Sequence, residues 1–199
     1  MKTLLEAIAH RRSYYDLQKG SPVSKERICT LVHDALRYTP SSFNMQSSRC
    51  LLLFGKEHER LWDITIQELK KIVPEKQFKA TEKKILSFHN AYGTVLFFDE
   101  HTVVDSYAQK YDAYRENFPI WAQQSNGMLQ YAVWTLLEAE GLGASLQHYN
   151  PLIDGKIREL WNVPKTWTHI AQMPFGTPAS PPPEKKHSDT TEKIKIFGL

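Results

Sequence analysis

The chain has 199 residues, a formal net charge of +3, 41% hydrophobic residues and 24% charged residues. That length predicts a single domain over residues 1–199 with one sizeable core. The charge is too small and too dispersed for a nucleic-acid surface, and no apolar run approaches the roughly 20 residues that cross a bilayer, so neither nucleic acid nor membrane is expected as a partner.

In chain order, Leu4, Leu5 and Ile8 share one face of a short first helix that runs toward Arg11–Ser13. Glu6 and Arg11 interrupt what would be the apolar core of a secretion signal, so the opening segment reads as structure. Ser24 is an N-cap for a second helix, with Glu26 in its first turn, where the dipole favours an anion. Ile28, Leu31, Val32, Ala35 and Leu36 recur at helical spacing until Thr39-Pro40-Ser41-Ser42 opens a polar loop. The apolar run at residues 50–54 reads as a buried strand, residues 57–73 as a helix stopped by Pro74, and residues 75–89 as a charged helix. A second buried strand follows at residues 94–98. Residues 105–118 alternate aromatic and charged side chains and are placed on a surface or over a pocket, with Tyr111, Tyr114, Phe118 and Trp121 either walling that pocket or packing in a core. Residues 119–140 form a long helix whose wide apolar face suits a central position or contact with another subunit. Gly141-Leu-Gly143 ends it. Residues 144–149 read as a third strand, 153–161 as a short helix, 169–175 as a fourth strand, 180–183 as a proline-rich bend, and 194–197 as a final edge strand. Helices outnumber short buried strands, so the class is α+β, with helices covering a small central sheet.

Four segments offer chemistry. Arg11-Arg12-Ser13 supplies two guanidinium groups and a hydroxyl, which suit a phosphate; a basic helix end that complements the dipole is the alternative. Pro40-Ser41-Ser42-Phe43-Asn44-Met45-Gln46 offers hydroxyls and amides to a heteroaromatic ring edge, or satisfies its own backbone. Gly141-Leu-Gly143 follows a helix and is no dinucleotide fingerprint. Lys185-Lys186, after the proline bend, either grips a phosphate or lies in a solvated tail. No phosphate-loop, zinc-protease, nucleophile-elbow or calcium-loop motif is present. The eight histidines are dispersed, which leaves a metal site without support, and His148 on its expected strand suits a core position. Glu138 and Glu140 sit on a surface-like helix, which does not support a glycosidase pair. Cys29 and Cys50 form no CxxC, so two reduced thiols in the cytoplasm are expected. With no strong nucleophile or base among the side chains, a cofactor is the natural carrier of chemistry.

Taken in order, these segments resemble the nitroreductase family of flavoproteins. Arg11-Arg12-Ser13 resembles its opening phosphate motif, and residues 38–46 match its P-S-S-x-N-x-Q loop, the most specific part of the likeness. Residues 140–144 with the strand after them, Phe175-Gly176-Thr177-Pro178, and the later prolines with Lys185-Lys186 complete it over nearly the whole chain. The short length and Tyr15 are most similar to the small subfamily of fatty-acid-repression-type enzymes. The resemblance implies an intertwined homodimer on a mainly antiparallel sheet, with FMN at the subunit interface. Arg11 and Ser13, with Arg12 nearby and Lys185 or Lys186 as a second cation, would hold the FMN phosphate. Pro40, Ser41, Ser42, Asn44 and Gln46 would approach the flavin from the neighbouring subunit. The backbone of Gln147, His148 and Tyr149 would face flavin N5. NAD(P)H would deliver hydride and leave, and a nitroaromatic, quinone or similar small aromatic acceptor would take its place, in a ping-pong cycle. Tyr15 stands where many relatives carry a cation at the flavin N1/O2 edge, so Arg12 or another cation substitutes or the flavin potential is lower. A flavin-binding sensor without turnover, or an interaction protein on the same fold, are the alternative functions.

Overall fold

A computed structural model describes residues 2–182 and 184–198 of the chain; Pro183 of the expected bend lies outside them. Helix α1 (Leu4–His10) begins at a capping box in which the Thr3 hydroxyl accepts the Glu6 N–H and the Glu6 carboxylate accepts the Thr3 N–H. Strand β1 (Leu17–Gln18) follows, then α2 (Lys25–Tyr38), capped by the Ser24 side chain as its sequence predicts. A 3-10 turn (Ser42–Asn44) leads into β2 (Ser48–Phe54). Helices α3 (Lys56–Ile72) and α4 (Glu75–His89) are separated by Val73-Pro74, because proline cannot continue the first helix. Strand β3 (Gly93–Glu100) passes directly into α5 (His101–Lys110), and a 3-10 turn (Asp112–Tyr114) precedes the long α6 (Asn117–Ala139). Gly141, at φ +85°, closes α6: its N–H bonds Glu138 O at 3.0 Å while Leu142 N–H reaches Leu137 O at 2.9 Å. Those two bonds satisfy carbonyls that the helix end leaves free. Strand β4 (Gly143–Ala144), α7 (Asp154–Trp161) and β5 (Trp167–Pro178) complete the order.

The strands form one five-stranded sheet, antiparallel throughout its paired strands, in the order β1-β5-β3-β2 with β4 also on β5. This is the α+β arrangement that the sequence predicts. Strand β3 is buried along nearly its whole length, and its alternation separates two cores. Val95 and Phe97 face α2 and α6 through Val32, Leu129 and Val133. Leu96 and Phe98 face α3, α4 and α7 through Trp62, Phe88 and Ile157. A third cluster packs α5 on α6 around Phe118.

The short first helix forms as expected; its Leu4, Leu5 and Ile8 are exposed, and Ala7 is the residue that α1 buries, whose small side chain lets the helix approach α6 closely. Four expectations differ from the structure. The stretch 105–118, expected only on a surface or over a pocket, begins inside a helix, since Glu100 accepts the Thr102 N–H and starts α5 straight from the strand. The third strand ends at Ala144, because only Ser145 N–H and Gln147 then bond the β5 backbone and Tyr149 N–H turns to the Gln172 side chain; His148 is exposed, not buried. Residues 194–197 pair with no strand among the described residues, and Ile194, Ile196 and Phe197 are exposed. Glu138 is buried and held by Lys2, while Glu140 accepts Arg27 Nε and Nη2 at 2.8 and 2.6 Å, so both carboxylates are structural.

One histidine is locked between α3, α4 and β3. His58 Nδ1 lies 2.8 Å from Thr94 Oγ1 and its Nε2 lies 3.2 Å from His89 O, while Trp62 Nε1 donates to the same threonine oxygen at 3.0 Å. Burial pushes the His58 pKa down to about 4. The folded state therefore keeps His58 neutral where the unfolded chain, near 6.5, already takes a proton. Stability should fall by about 3 kcal/mol between roughly pH 6.5 and pH 4 from this group alone. Urea melts across that interval should show a steeper loss for the native chain than for His58→Gln.

Candidate functional site

Strand β5 has two edges. β3 and then β1 occupy one; β4, Ser145 and Gln147 occupy the other in succession. The segment after α1 is drawn alongside that second edge. Tyr14 N–H donates to Ala144 O at 2.9 Å, and Ser13 bridges Ala144 in parallel. The approach is so close that a Cβ on Gly143 would lie 2.8 Å from the Tyr14 ring. Position 143 therefore needs glycine for space.

This pairing brings the expected phosphate ligands together. Arg11, Arg12, Ser13 and Lys185, with Pro182 and Glu184, line one cavity of about 280 Å³. Three cations and one carboxylate leave it with a positive excess. The Nε atoms of Arg11 and Arg12 are buried and have no hydrogen-bond partner among the described residues. A buried donor without an acceptor is costly. An anion in this cavity removes that cost, so the donor set fits a phosphate. The Arg11 guanidinium lies over the Trp134 ring, 4.3 Å from its centre, and 5.8 Å from the centre of Tyr131. Arg12 Nη1 donates to Ala9 O at 3.2 Å. Lys186 is exposed and does not line the cavity.

Tyr15 and Tyr149 lie near one another in an aromatic patch. Tyr15 packs on Phe88 at 6.2 Å, Phe88 on Trp62 at 5.0 Å, and Trp62 on Tyr149 at 6.0 Å between ring centres. Burial, with a smaller contribution from Tyr15, pushes the Tyr149 hydroxyl up to about 12. The Tyr149 phenol is thus neutral at pH 7 and acts as a hydrogen-bonding group. Gln147 is buried, its side chain donates to Ser145 Oγ at 3.1 Å, and its backbone exchanges two bonds with Gln172.

The P-S-S-F-N-M-Q segment lies elsewhere on the chain. Pro40, Ser41 and Gln46 line a different cavity of about 240 Å³, together with His33, Arg37 and Arg49. Phe43, Asn44 and Gln46 hold φ values of +55°, +54° and +52°, a left-handed region that costs side-chain-bearing residues energy. Local bonds hold the turn: Ser41 Oγ accepts the Gln46 N–H at 2.9 Å, and Arg49 Nη1 donates to Gln46 O at 2.8 Å. The side chains of Ser42 and Asn44 form no hydrogen bond among the described residues. The aromatic residues expected as a pocket wall instead surround Phe43. Its ring lies 4.6 Å from Tyr111, 5.4 Å from Phe118, 5.8 Å from Tyr114 and 5.9 Å from Trp121, and Phe118 is fully buried. The sequence does not single out Phe43 as the anchor, because nothing in a phenylalanine signals a left-handed backbone.

Between the two cavities runs an apolar groove of about 620 Å³ formed by α1, α2 and α6. Leu4, Ile8, Tyr38, Met128 and Leu136 line it. Pro40 lines both the groove and the loop cavity, and Tyr131 lines the groove while flanking Arg11. The groove therefore joins the two halves of the expected site. Among the described residues no group of histidine, cysteine and acidic side chains could hold a metal, and no helix is long and apolar enough to cross a membrane.

Residues 8–177 match the model of the Nitroreductase family. The chain is 34% identical over 198 residues to HBN1 of Saccharomyces cerevisiae, covering 98% of this chain and 97% of that one. It is 33% identical over 183 residues to nitroreductase FRM2 of the same yeast, covering 91% of each. Nitroreductase CinD from Lactococcus lactis, solved in complex with chloramphenicol, superposes with a TM-score of 0.90 at 34% identity over 98% of this chain and 100% of that one. CinD is also solved in complex with 4-nitrophenol.

The strained turn yields a direct test. Phe43→Gly removes both the ring and the backbone penalty, whereas Phe43→Ala removes only the ring. Both should destabilise the chain, and the alanine variant should be the less stable by about 1 kcal/mol in urea melts. Equal stability of the two variants would show that the ring alone governs this loop.

Proposed function

Because the chain belongs to the nitroreductase family, whose members are oxidoreductases, we propose that it binds FMN and works as an NAD(P)H-dependent reductase of small aromatic acceptors. The observation that carries this reading is the convergence of Arg11, Arg12, Ser13 and Lys185 on one cavity, with Ser13 bridged to Ala144 at the start of the segment that leads to the exposed His148. When bound, FMN would supply the hydride chemistry: acceptance from NAD(P)H and transfer to a flat acceptor in the same place.

The residues of this chain would contribute binding and orientation. Arg11 and Lys185 would neutralise the FMN phosphate, with the Ser13 hydroxyl as a third partner and Arg12 completing the positive wall. Tyr15 and Tyr149 would present phenol hydroxyls near the ring system, so the cation at the flavin N1/O2 edge would come from another residue. The free N–H of His148 would steady the ring edge. The 4-nitrophenol and chloramphenicol complexes of CinD support acceptors that carry a nitroaromatic ring.

The reading includes a homodimer. Leu4 and Tyr38 are each 72% exposed in a single chain, around a groove that water covers at a cost. A second copy seated there by two-fold symmetry would carry Pro40, Ser41, Ser42 and Asn44 toward the Arg11 cavity of its mate. Ser42 and Asn44 keep their side chains free of internal bonds, as a loop that meets a ligand across an interface requires. Cys29 and Cys50 are free thiols, as a reducing cytoplasm would keep them, and burial pushes Cys50 up to about 12, which suits an inert side chain.

Freshly purified protein should show flavin absorbance and bleach with NADH or NADPH in stopped flow; a bound flavin that both donors leave oxidised refutes the activity. Arg11→Ala removes a charge-assisted contact worth about 1.5–3 kcal/mol, so the FMN Kd should rise by about 10- to 150-fold. Light scattering should give a dimer; a monomer that retains FMN contradicts the shared site.

A further inference from the structure

Strand β5 carries a bulge at Ile170, where the register with β3 steps from Phe97↔Ala171 to Phe98↔His169. In a regular strand, residues three apart point to opposite faces. Here they do not. Directly opposed residues share a face, and the partners of His169 and Gln172 are Phe98 and Leu96, which both belong to the core against α3, α4 and α7. The bulge thus re-aims His169 onto the face of Gln172, as bulges beside functional sites do.

The result is a buried chain of hydrogen bonds with a defined direction. Asp154, the first residue of α7, accepts from His169 Nδ1 at 2.8 Å. With the proton on Nδ1, Nε2 accepts, and it takes an N–H of Gln172 at 2.8 Å. That sets the orientation of the Gln172 amide. Its second N–H reaches Asn150 Oδ1 at 3.4 Å, and its Oε1 accepts the Tyr149 backbone N–H at 2.8 Å. Gln172 is 0% exposed and His169 4% exposed, and the His169 ring stacks on Phe98 at 4.9 Å, so neither side chain has room to rotate. Gln147 is already fixed by two backbone bonds to Gln172. The N–H of His148, between two anchored neighbours, has no partner among the described residues.

We propose that Asp154, His169 and Gln172 are positioning residues that hold the segment Gln147–Tyr149 and take up the Tyr149 amide, leaving the His148 amide as the donor offered to the flavin edge. This rests on the flavin reading above. The device is absent from the sequence motifs, because a bulge and an amide orientation leave no mark on residue spacing.

Amide hydrogen exchange by NMR tests it without turnover. In the full-length protein stripped of FMN, Tyr149 N–H should exchange at least about 10-fold more slowly than His148 N–H, and added FMN should protect His148. Gln172→Met should release Tyr149, whereas Gln172→Glu, which keeps an acceptor, should retain its protection. In the FMN-loaded enzyme, Gln172→Met should lower kcat by about 10- to 100-fold through misplacement of the edge while the FMN Kd stays within about twofold. Gln172→Glu should recover most of kcat. Equal exchange of the two amides in the native chain overturns the proposal, whether or not FMN binds. Release of Tyr149 with kcat unchanged overturns the positioning role and leaves the flavin reading intact. If FMN leaves both amides unaffected, the assignment of His148 falls, and lack of flavin absorbance in purified protein separately identifies failure of the flavin reading.

Discussion

A strand buried in the middle of a sheet must have hydrogen-bond partners along both edges, and β5 meets that demand unevenly. β3, stepped once at Ile170 and followed by β1, supplies one edge. The other edge is assembled from β4, Ser145 and Gln147, pieces too short to be stable alone. The need to satisfy that edge determines where the chain returns after α1 and after α6. The returns place Ser13 and Tyr14 next to Gly143–Ala144, which sets the cationic cavity at the start of the segment that leads to the exposed His148. The functional half-site is thus a by-product of satisfying the backbone; Gly143 marks the point where this leaves no space for a side chain, and Gly141 the turn whose positive φ a side chain would strain.

The helices were largely legible from residue pattern. Ser24 and Pro74 mark boundaries by mechanisms that act locally, through a capping hydroxyl and a missing N–H, and so they survive folding unchanged. The apolar runs in β2 and β3 are equally plain, because burial on two faces demands them. What pattern cannot show is anything decided by a distant partner. β1 has two residues and no periodicity; only Thr177 and Pro178 make it a strand. The inward face of α1 follows Ala7, a residue whose value lies in its small size against α6, while the larger Leu4 and Leu5 are left outside. The segment after Ala144 has strand-like composition, yet a glutamine side chain takes over the ladder at Tyr149.

The candidate site divides along the same line. Cationic residues near a hydroxyl are readable as phosphate chemistry from their identity, and the cavity shared by Arg11, Arg12, Ser13 and Lys185 agrees with that reading across a sequence separation of more than half the chain. The loop after α2 was readable in composition but not in mechanism. Its polar residues depend on Phe43, held left-handed by four surrounding rings, and the rings come from segments that look like an independent aromatic surface. Lys185 and Lys186 are identical in type and adjacent in sequence, and only geometry separates the one that lines the cavity from the one that does not.

The stacking of Arg11 on Trp134 has a consequence for selectivity. A free arginine side chain samples many rotamers, and fixing it costs on the order of 2 kcal/mol. Here the indole already holds the guanidinium plane, so that entropy is lost when the chain folds and not when an anion arrives. Such preorganisation sharpens directionality as well as strength: the fork presents its N–H groups in one plane, and an anion whose oxygens cannot meet that plane gains little from the charge. The cavity is in that sense tuned to shape before any ligand enters it.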